Sequence, residues 1–273
     1  VLLPLVLFYS FNINMQFNTI LYSKNQGVAT ITLNRPESYN AFTGEMRTEM
    51  LSAINAASVD AECRVVVLTG AGKAFCSGQD LKDIAGKKID FSEFLEKGYN
   101  PLILAMRNME KPIICVLNGV AAGAGCSLAL ACDFTIADER ASLVEVFVGI
   151  GLVLDSGSSY FLPKLVGTNK AFELATMGSK VSAAEAVSLG MINAAYPTEQ
   201  LSDELDKLTK YYANAPTKAI GMIKTMLNRS GNSSLEQVLA YECHYQQLAG
   251  DSADYAEGLQ AFIEKRKANF TGE

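Results

Sequence analysis

Apolar and polar positions along the chain change their rhythm several times, and each rhythm predicts an element. Thr19 to Ser23 and Val28 to Leu33 are β-rich runs separated by KNQG, and in the second run Val28, Thr30 and Thr32 alternate with Ala29, Ile31 and Leu33. A β-hairpin is predicted, closed by Asn34-Arg35-Pro36. Thr43 then caps a helix with Met46, Met50, Ile54 and Ala57 on one stripe, and RVVVLTG from Arg64 reads as a buried strand.

The cycle repeats. A charged stretch from Lys82 to Glu96 leads to a helix ending near Met109, the strand PIICVLNG from Pro112, a helix of small residues, and the strand DFTIAD from Asp133. Strands alternating with helices predict an α/β fold. Beyond Lys180 helices take over, with capping boxes at Ser182/Glu185 and Ser234/Gln237 and a break at Ala215-Pro216. A core over residues 15–200 and a helical region over 201–273 are expected to pack as one unit, since no Pro-rich linker or repeat separates them. Residues 1–14 are apolar without a basic flank or a cleavage signature, and read as a leader or upstream-translation remnant rather than an anchor.

Composition narrows the function. With 273 residues, 49% of them hydrophobic, the chain has enough apolar matter for a substantial core, and a net charge of -6 leaves no basic excess for nucleic acid. The single histidine, His244, sits in a stretch of helical spacing, so Ser-His-Asp and Cys-His chemistry is disfavoured and a structural or surface role is expected. Six cysteines form no CxxC pair and lie mostly in apolar runs, which reads as reduced thiols in a cytoplasmic protein, without a metal site or a membrane partner. The sequons at Asn228, Asn232 and Asn269 are short enough to arise by chance.

Two loops of small residues follow apolar strands: TGAGKAFCSGQDL from Thr69 and NGVAAGAGCSLALACD from Asn118. Neither has the glycine and lysine spacing of a phosphate-binding loop. Small residues let a ligand approach backbone N–H groups, and a helix starting at Ala124 adds a dipole that favours a developing anion; tight helix–strand packing is the alternative use of the same residues.

AFCSGQDL, NGVAAGAGCSLALACD and SAAEAVSLGMI, in this order and spacing, resemble the crotonase (enoyl-CoA hydratase/isomerase) superfamily from Met15 onward. The resemblance implies a spiral of ββα turns with a C-terminal helical trimerisation and lid region, a homotrimer or a hexamer of paired trimers, and an acyl-CoA thioester substrate. No separate cofactor is implied, coenzyme A being part of the substrate. It further implies an oxyanion hole made by the backbone N–H groups of Gln79 and Ala124, with Gly78 and Gly123 shaping the loops. Losing one such donor costs about 3–4 kcal/mol, so two lower an enolate-forming barrier by roughly 5–8 kcal/mol.

The two glutamates of the family's hydratases would fall at Ser127 and Phe147, so neither is present, and hydration is disfavoured. Asp155, in GIGLVLDSGSS, stands where several isomerases of the family carry a catalytic aspartate; as an alternative it only N-caps the helix that follows. Glu145 is a candidate second carboxylate on the same face of an extended segment as Phe147, against the alternative of a solvent or interface ion pair. Asp80 and Asp133 read as turn or strand-end carboxylates.

With the tail YQQLAGDSADYAEGLQAFIEKRKANFTG, these features resemble most the members that rearrange ring epoxides of aryl-CoA thioesters. LDSGSSY departs from the usual proline and glycine around the aspartate, which implies a changed acyl pocket. For the coenzyme A moiety the resemblance implicates Ala74, Ser77, Gln79, Asp80 and Leu81, with Phe262 and Lys265 closing over it, often from a neighbouring subunit. Alternatives are a Δ3,Δ2-enoyl-CoA isomerase, a hydratase using Asp155 or Glu145, and a non-catalytic acyl-CoA-binding scaffold.

Overall fold

The computed structural model describes residues 16–273; the reading of residues 1–14 falls outside them. The predicted hairpin forms from β1 (Ile20–Asn25) and β2 (Val28–Leu33), paired antiparallel. Its turn is only two residues, Gln26 and Gly27, both at positive φ, so β1 runs through Lys24 and Asn25 where the sequence reads a loop. Helix Gly44–Val59 follows, Thr43 accepting from the Met46 N–H at its start, with Met46, Met50, Ile54 and Ala57 buried as expected.

Three strand pairs then repeat one pattern. β3 (Val65–Gly70), β5 (Ile113–Leu117) and β7 (Phe134–Asp138) enter a six-stranded sheet ordered β1-β2-β3-β5-β7-β10, parallel apart from the hairpin. Each is followed within a few residues by a short strand of a second sheet, β4 (Ala74–Cys76), β6 (Val120–Ala122) and β8 (Ser142–Val144), which pair parallel in that order. Helix or 3₁₀ turn comes next, completing a spiral of ββα units. β9 (Val181–Ser182) closes the small sheet antiparallel, and β10 (Ala194–Tyr196) adds an edge to the large one. These last two correct the expectation of helices alone beyond Lys180: two or three residues cannot display a period, and only their partners make them strands.

The core lies between the large sheet, the small sheet and the helices, with Phe42, Phe75, Met46, Met50, Leu68, Leu102 and Met106 sealed within it. On the opposite face of the large sheet Val65, Val67, Ile114, Val116 and Ile136 pack against Leu201, Leu205, Leu208 and Tyr212 of helix Thr198–Ala213. Period-two alternation in β3 and β5 thus covers both faces, as a parallel sheet requires. Asp133 accepts from the Ile113 N–H at 2.9 Å, the strand-end role expected of it, and also pairs with Arg107 and buried Lys224. Among the described residues no helix is long and apolar enough to cross a membrane.

Candidate functional site

The two small-residue loops meet where the sheets adjoin. In the first, Phe42 bridges Gln79 in parallel: the Phe42 N–H donates to the Gly78 carbonyl at 2.7 Å and the Asp80 N–H donates to the Phe42 carbonyl at 2.9 Å. That bridge uses the groups on either side of Gln79, so its own N–H points away and meets no acceptor among the described residues. In the second loop Gly123, at φ 52° and ψ -125°, turns β6 into helix Ala124–Leu130; Ala124 is the first helical residue, and its N–H is one of the donors a helix leaves unpaired. The approach is close enough to demand glycine. A Cβ on Gly78, whose φ is +94°, would lie 2.8 Å from the Ala122 carbonyl oxygen and 3.6 Å from the Ala124 nitrogen.

A cavity of about 610 Å³ opens at this junction, lined among others by Ser77, Gly78, Gln79, Leu81, Gly123, Ala124, Phe147 and Asp155. The structure therefore brings eight of the sequence-derived candidates together. It leaves four outside. Ala74 is 1% exposed within β4, its carbonyl bonded by Asn40 and Asn118, so it offers a ligand nothing in this chain. Asp80 is committed to structure, since one oxygen accepts from Arg35 at 3.1 Å and the other caps helix Leu81–Ile84 at the Lys82 N–H. Burial pushes the Asp80 carboxyl up, but Arg35 and the backbone outweigh it and hold it below the usual range. Phe262 and Lys265 lie exposed at the end of helix Ala253–Glu264, away from the lining.

Sequence reading missed the apolar wall. The stretch Lys82 to Glu96 looks solvated, yet it folds into helices Leu81–Ile84 and Phe91–Phe94 and runs on through Tyr99 into helix Asn100–Asn108, and Ile84, Phe91, Phe94 and Tyr99 face the cavity. The available signal was Phe91 and Phe94 at helical spacing among charges. Leu152 and Ile150 add to the wall from the other side.

Asp155 is half-buried in a tight turn in which Ser156 (φ 52°) and Gly157 (φ 87°) are both left-handed. The capping alternative fails: helix Ser158–Val166 starts behind Gly157 without a side-chain cap, and the Asp155 carboxylate instead accepts from the Ser156 hydroxyl at 2.8 Å. Burial raises its pKa above the ordinary aspartate value, and the Ser156 hydrogen bond only partly offsets this.

Ser127 stands beneath this turn, its hydroxyl donating to the Asp155 carbonyl at 3.1 Å. Phe147 begins a 3₁₀ turn and packs its ring near Gly123, where an added Cβ would sit 3.8 Å away. β8 ends at Val144, so Glu145 does not share a strand face with Phe147, and among the described residues of this chain it has no ion-pair partner. It is 2% exposed and bonded by the Ser158 hydroxyl.

His244 lies exposed on helix Leu235–Gly250 against Tyr245. All six cysteines are free thiols, and among the described residues no group of three or more His, Cys, Asp and Glu could hold a metal. The arrangement combines two unpaired N–H donors, an apolar wall and one desolvated carboxyl, the parts needed to move a proton beside a carbonyl whose oxygen takes up charge.

Comparison with known proteins places this arrangement among relatives. The chain is 41% identical over 258 residues to 1,2-epoxyphenylacetyl-CoA isomerase of Escherichia coli K12, covering 93% of this chain and 98% of that one. A protein of Rhodobacter capsulatus named probable enoyl-CoA hydratase is 39% identical over 94% of this chain and 100% of its own length. The crystal structure of enoyl-CoA hydratase from Bacillus anthracis superposes with a TM-score of 0.89 at 31% identity, covering 94% of this chain and 100% of that one. The family model for enoyl-CoA hydratase/isomerase matches residues 23–273, and with that match the chain belongs to the enoyl-CoA hydratase/isomerase family, whose crotonase fold it has.

Proposed function

We propose that this protein is an acyl-CoA isomerase working through a thioester enolate, and that it rearranges a ring epoxide of an aryl-CoA thioester as its relative 1,2-epoxyphenylacetyl-CoA isomerase is named for doing. One observation carries the reading: the carboxylate lining the cavity beside Gln79 and Ala124 is Asp155, while the two hydratase-glutamate positions hold Ser127 and Phe147. The Gln79 and Ala124 N–H groups receive the thioester oxygen. The ring carbon–carbon bond shared with the epoxide breaks to give the seven-membered oxepin. Asp155 takes a proton from the carbon beside the carbonyl, the electron pair moves onto the thioester oxygen, and Asp155 returns the proton to a vinylogous ring carbon, so the product is an isomer of the substrate. A carboxyl whose pKa is raised by burial suits both halves of that shuttle. No metal or redox cofactor enters the scheme.

A Δ3,Δ2-enoyl-CoA isomerase would use the same parts, the acyl group deciding between the two. The hydratase reading draws on the relative at 39% identity. It needs a second carboxylate within reach of water, and Glu145 lies buried outside the cavity lining. Phe262 and Lys265 are proposed to act across a trimer interface on a neighbouring subunit's coenzyme A, since they are exposed and lie off their own chain's cavity.

The test is Asp155→Asn, a near-isostere that does not accept a proton as a carboxylate does. Turnover is expected to fall at least a hundredfold while acyl-CoA affinity stays within about threefold. Full activity would remove Asp155 from the mechanism, and unchanged binding with no turnover by wild type on any thioester would favour the scaffold reading.

A further inference from the structure

Glu145 lies behind the Asp155 turn and has no part in the chemistry above. It follows β8 directly, and one carboxylate oxygen, Oε1, accepts from the Ser158 hydroxyl. The other, Oε2, is buried and meets no donor among the described residues. The elements packed against it bring Cys126 from helix Ala124–Leu130, Ser158 from helix Ser158–Val166 and Asp155 from the turn; the titratable groups acting on it are Cys126 and Asp155, and no lysine, arginine or histidine does so. A buried carboxylate with one bare oxygen and a second carboxylate for a neighbour is costly to ionise, whereas the neutral acid sits there at little expense.

Ser158 connects this group to the site. Its backbone N–H donates to the Asp155 carbonyl at 3.0 Å, and the Ser127 hydroxyl donates to that same carbonyl at 3.1 Å. The turn is built from two left-handed residues, one of them Ser156, and such backbone holds its shape only where neighbours fix it. Glu145, by engaging the Ser158 side chain, supplies one of the few fixed points.

We propose that Glu145 is a positioning residue for Asp155: a proton-bearing carboxyl that locks the 155–158 turn through Ser158, and whose ionisation at higher pH puts a second negative charge behind the site and stops turnover. The proposal rests on the reading of Asp155 as the proton-transfer residue. Burial first, and then the charge of Asp155, raise the Glu145 carboxyl above its ordinary value, against the opposing Ser158 hydrogen bond and the nearby Cys126 thiol. Burial raises both carboxyls, and a charged Asp155 adds to the cost of ionising Glu145 behind it.

Infrared difference spectroscopy of wild type minus Glu145→Gln, without substrate at the pH of maximal turnover, is expected to show a protonated-carboxyl band that belongs to Glu145. In kinetics, Glu145→Ala is expected to lower kcat about tenfold or more with KM within about threefold, and Glu145→Gln, which copies the neutral acid, to recover most of that loss. The kcat/KM of Glu145→Gln should also stay level about one pH unit or more further into the alkaline range than that of wild type.

An absent band, or a Glu145→Gln pH profile superimposable on wild type, would overturn the proposal. Should Glu145→Ala not fold, the band and the glutamine profile decide. Retained turnover in Asp155→Asn alongside the band would sink the reading of Asp155 and leave the proton on Glu145 standing, so the two failures are distinguishable.

Discussion

Arg47 and Gln79, 32 residues apart, are joined by a hydrogen bond of 2.7 Å from the guanidinium to Oε1, an oxygen that also accepts from the Tyr99 hydroxyl at 2.8 Å. The guanidinium in turn stacks 4.5 Å from the Phe94 ring centre and 4.7 Å from that of Tyr99. The Gln79 side chain is thus an anchor for the cavity wall, and the backbone N–H is the part left free for a ligand.

Gln79→Ala is accordingly expected to cost stability more than chemistry. Arg47 and Tyr99 lose their shared acceptor, about 1–3 kcal/mol, which for a chain this size lowers Tm by a few degrees. Thermal denaturation with kcat measured in parallel checks this: kcat should fall less than about tenfold. A loss near a thousandfold at unchanged Tm would show that the side chain, not the backbone, serves the reaction.

At Gly125 the two loops approach closely, since a Cβ there would lie 2.3 Å from the Cys76 carbonyl oxygen and 2.7 Å from its Cβ. Gly125→Ala must push helix Ala124–Leu130 off β4 and misplace the Ala124 N–H. The expectation is about 1–3 kcal/mol of destabilisation and a loss of roughly 10²–10³ in kcat. Gly250→Ala, at the end of a helix with open space around it, is the control, and should be neutral or slightly stabilising by urea denaturation.

The raised pKa of Asp155 fixes the sign of two pH effects. As a base it works when ionised, so kcat/KM should fall as pH drops through a midpoint above the ~3.9 of free aspartate. Ser156→Ala removes the hydrogen bond that restrains the shift and should move that midpoint higher still. For stability, a carboxyl with a raised folded pKa binds protons more tightly in the native state. Its contribution is present below the unfolded pKa and lost as pH rises through the folded one. Asp155→Asn should therefore have a higher Tm than wild type at neutral pH, the gap closing in acid.

Lys224 docks helix Thr217–Ser230 by donating to the Met106 carbonyl at 2.8 Å and to Asp133 at 2.7 Å, with its side chain 5% exposed. Lys224→Ala leaves Asp133 short of one partner and opens a gap, so a loss of about 3 kcal/mol is expected in chemical denaturation. Lys224→Met fills the volume and should lose less. Equal losses would mean that the ammonium's polar contacts, removed in both variants, and not the filled volume hold the helix.

The large sheet was legible because β3, β5 and β7 are long enough to show apolar runs bounded by Gly, Asn and Asp. The small sheet was not, since Ala74–Cys76, Val120–Ala122 and Ser142–Val144 are three-residue strands of small side chains that acquire their identity only by pairing with one another. The glycine loops were legible from residue type and order, and Asp155 from the family resemblance that those loops carry. The Glu145–Ser158 contact and the anchoring of Gln79 by Arg47 did not, because both depend on segments that meet only in three dimensions. Phe91 and Phe94 were hidden by the charges around them, although their spacing carried the clue.

Turnover of 1,2-epoxyphenylacetyl-CoA beside 3-enoyl-CoA and 2-enoyl-CoA thioesters by the purified protein, with products identified by mass, tests the central claim most directly. One-carboxylate chemistry at Asp155 predicts rearrangement at unchanged mass, with the epoxide the preferred substrate. A gain of one water on the 2-enoyl thioester would contradict it, and would mean that the site hydrates without the two glutamates that Ser127 and Phe147 replace.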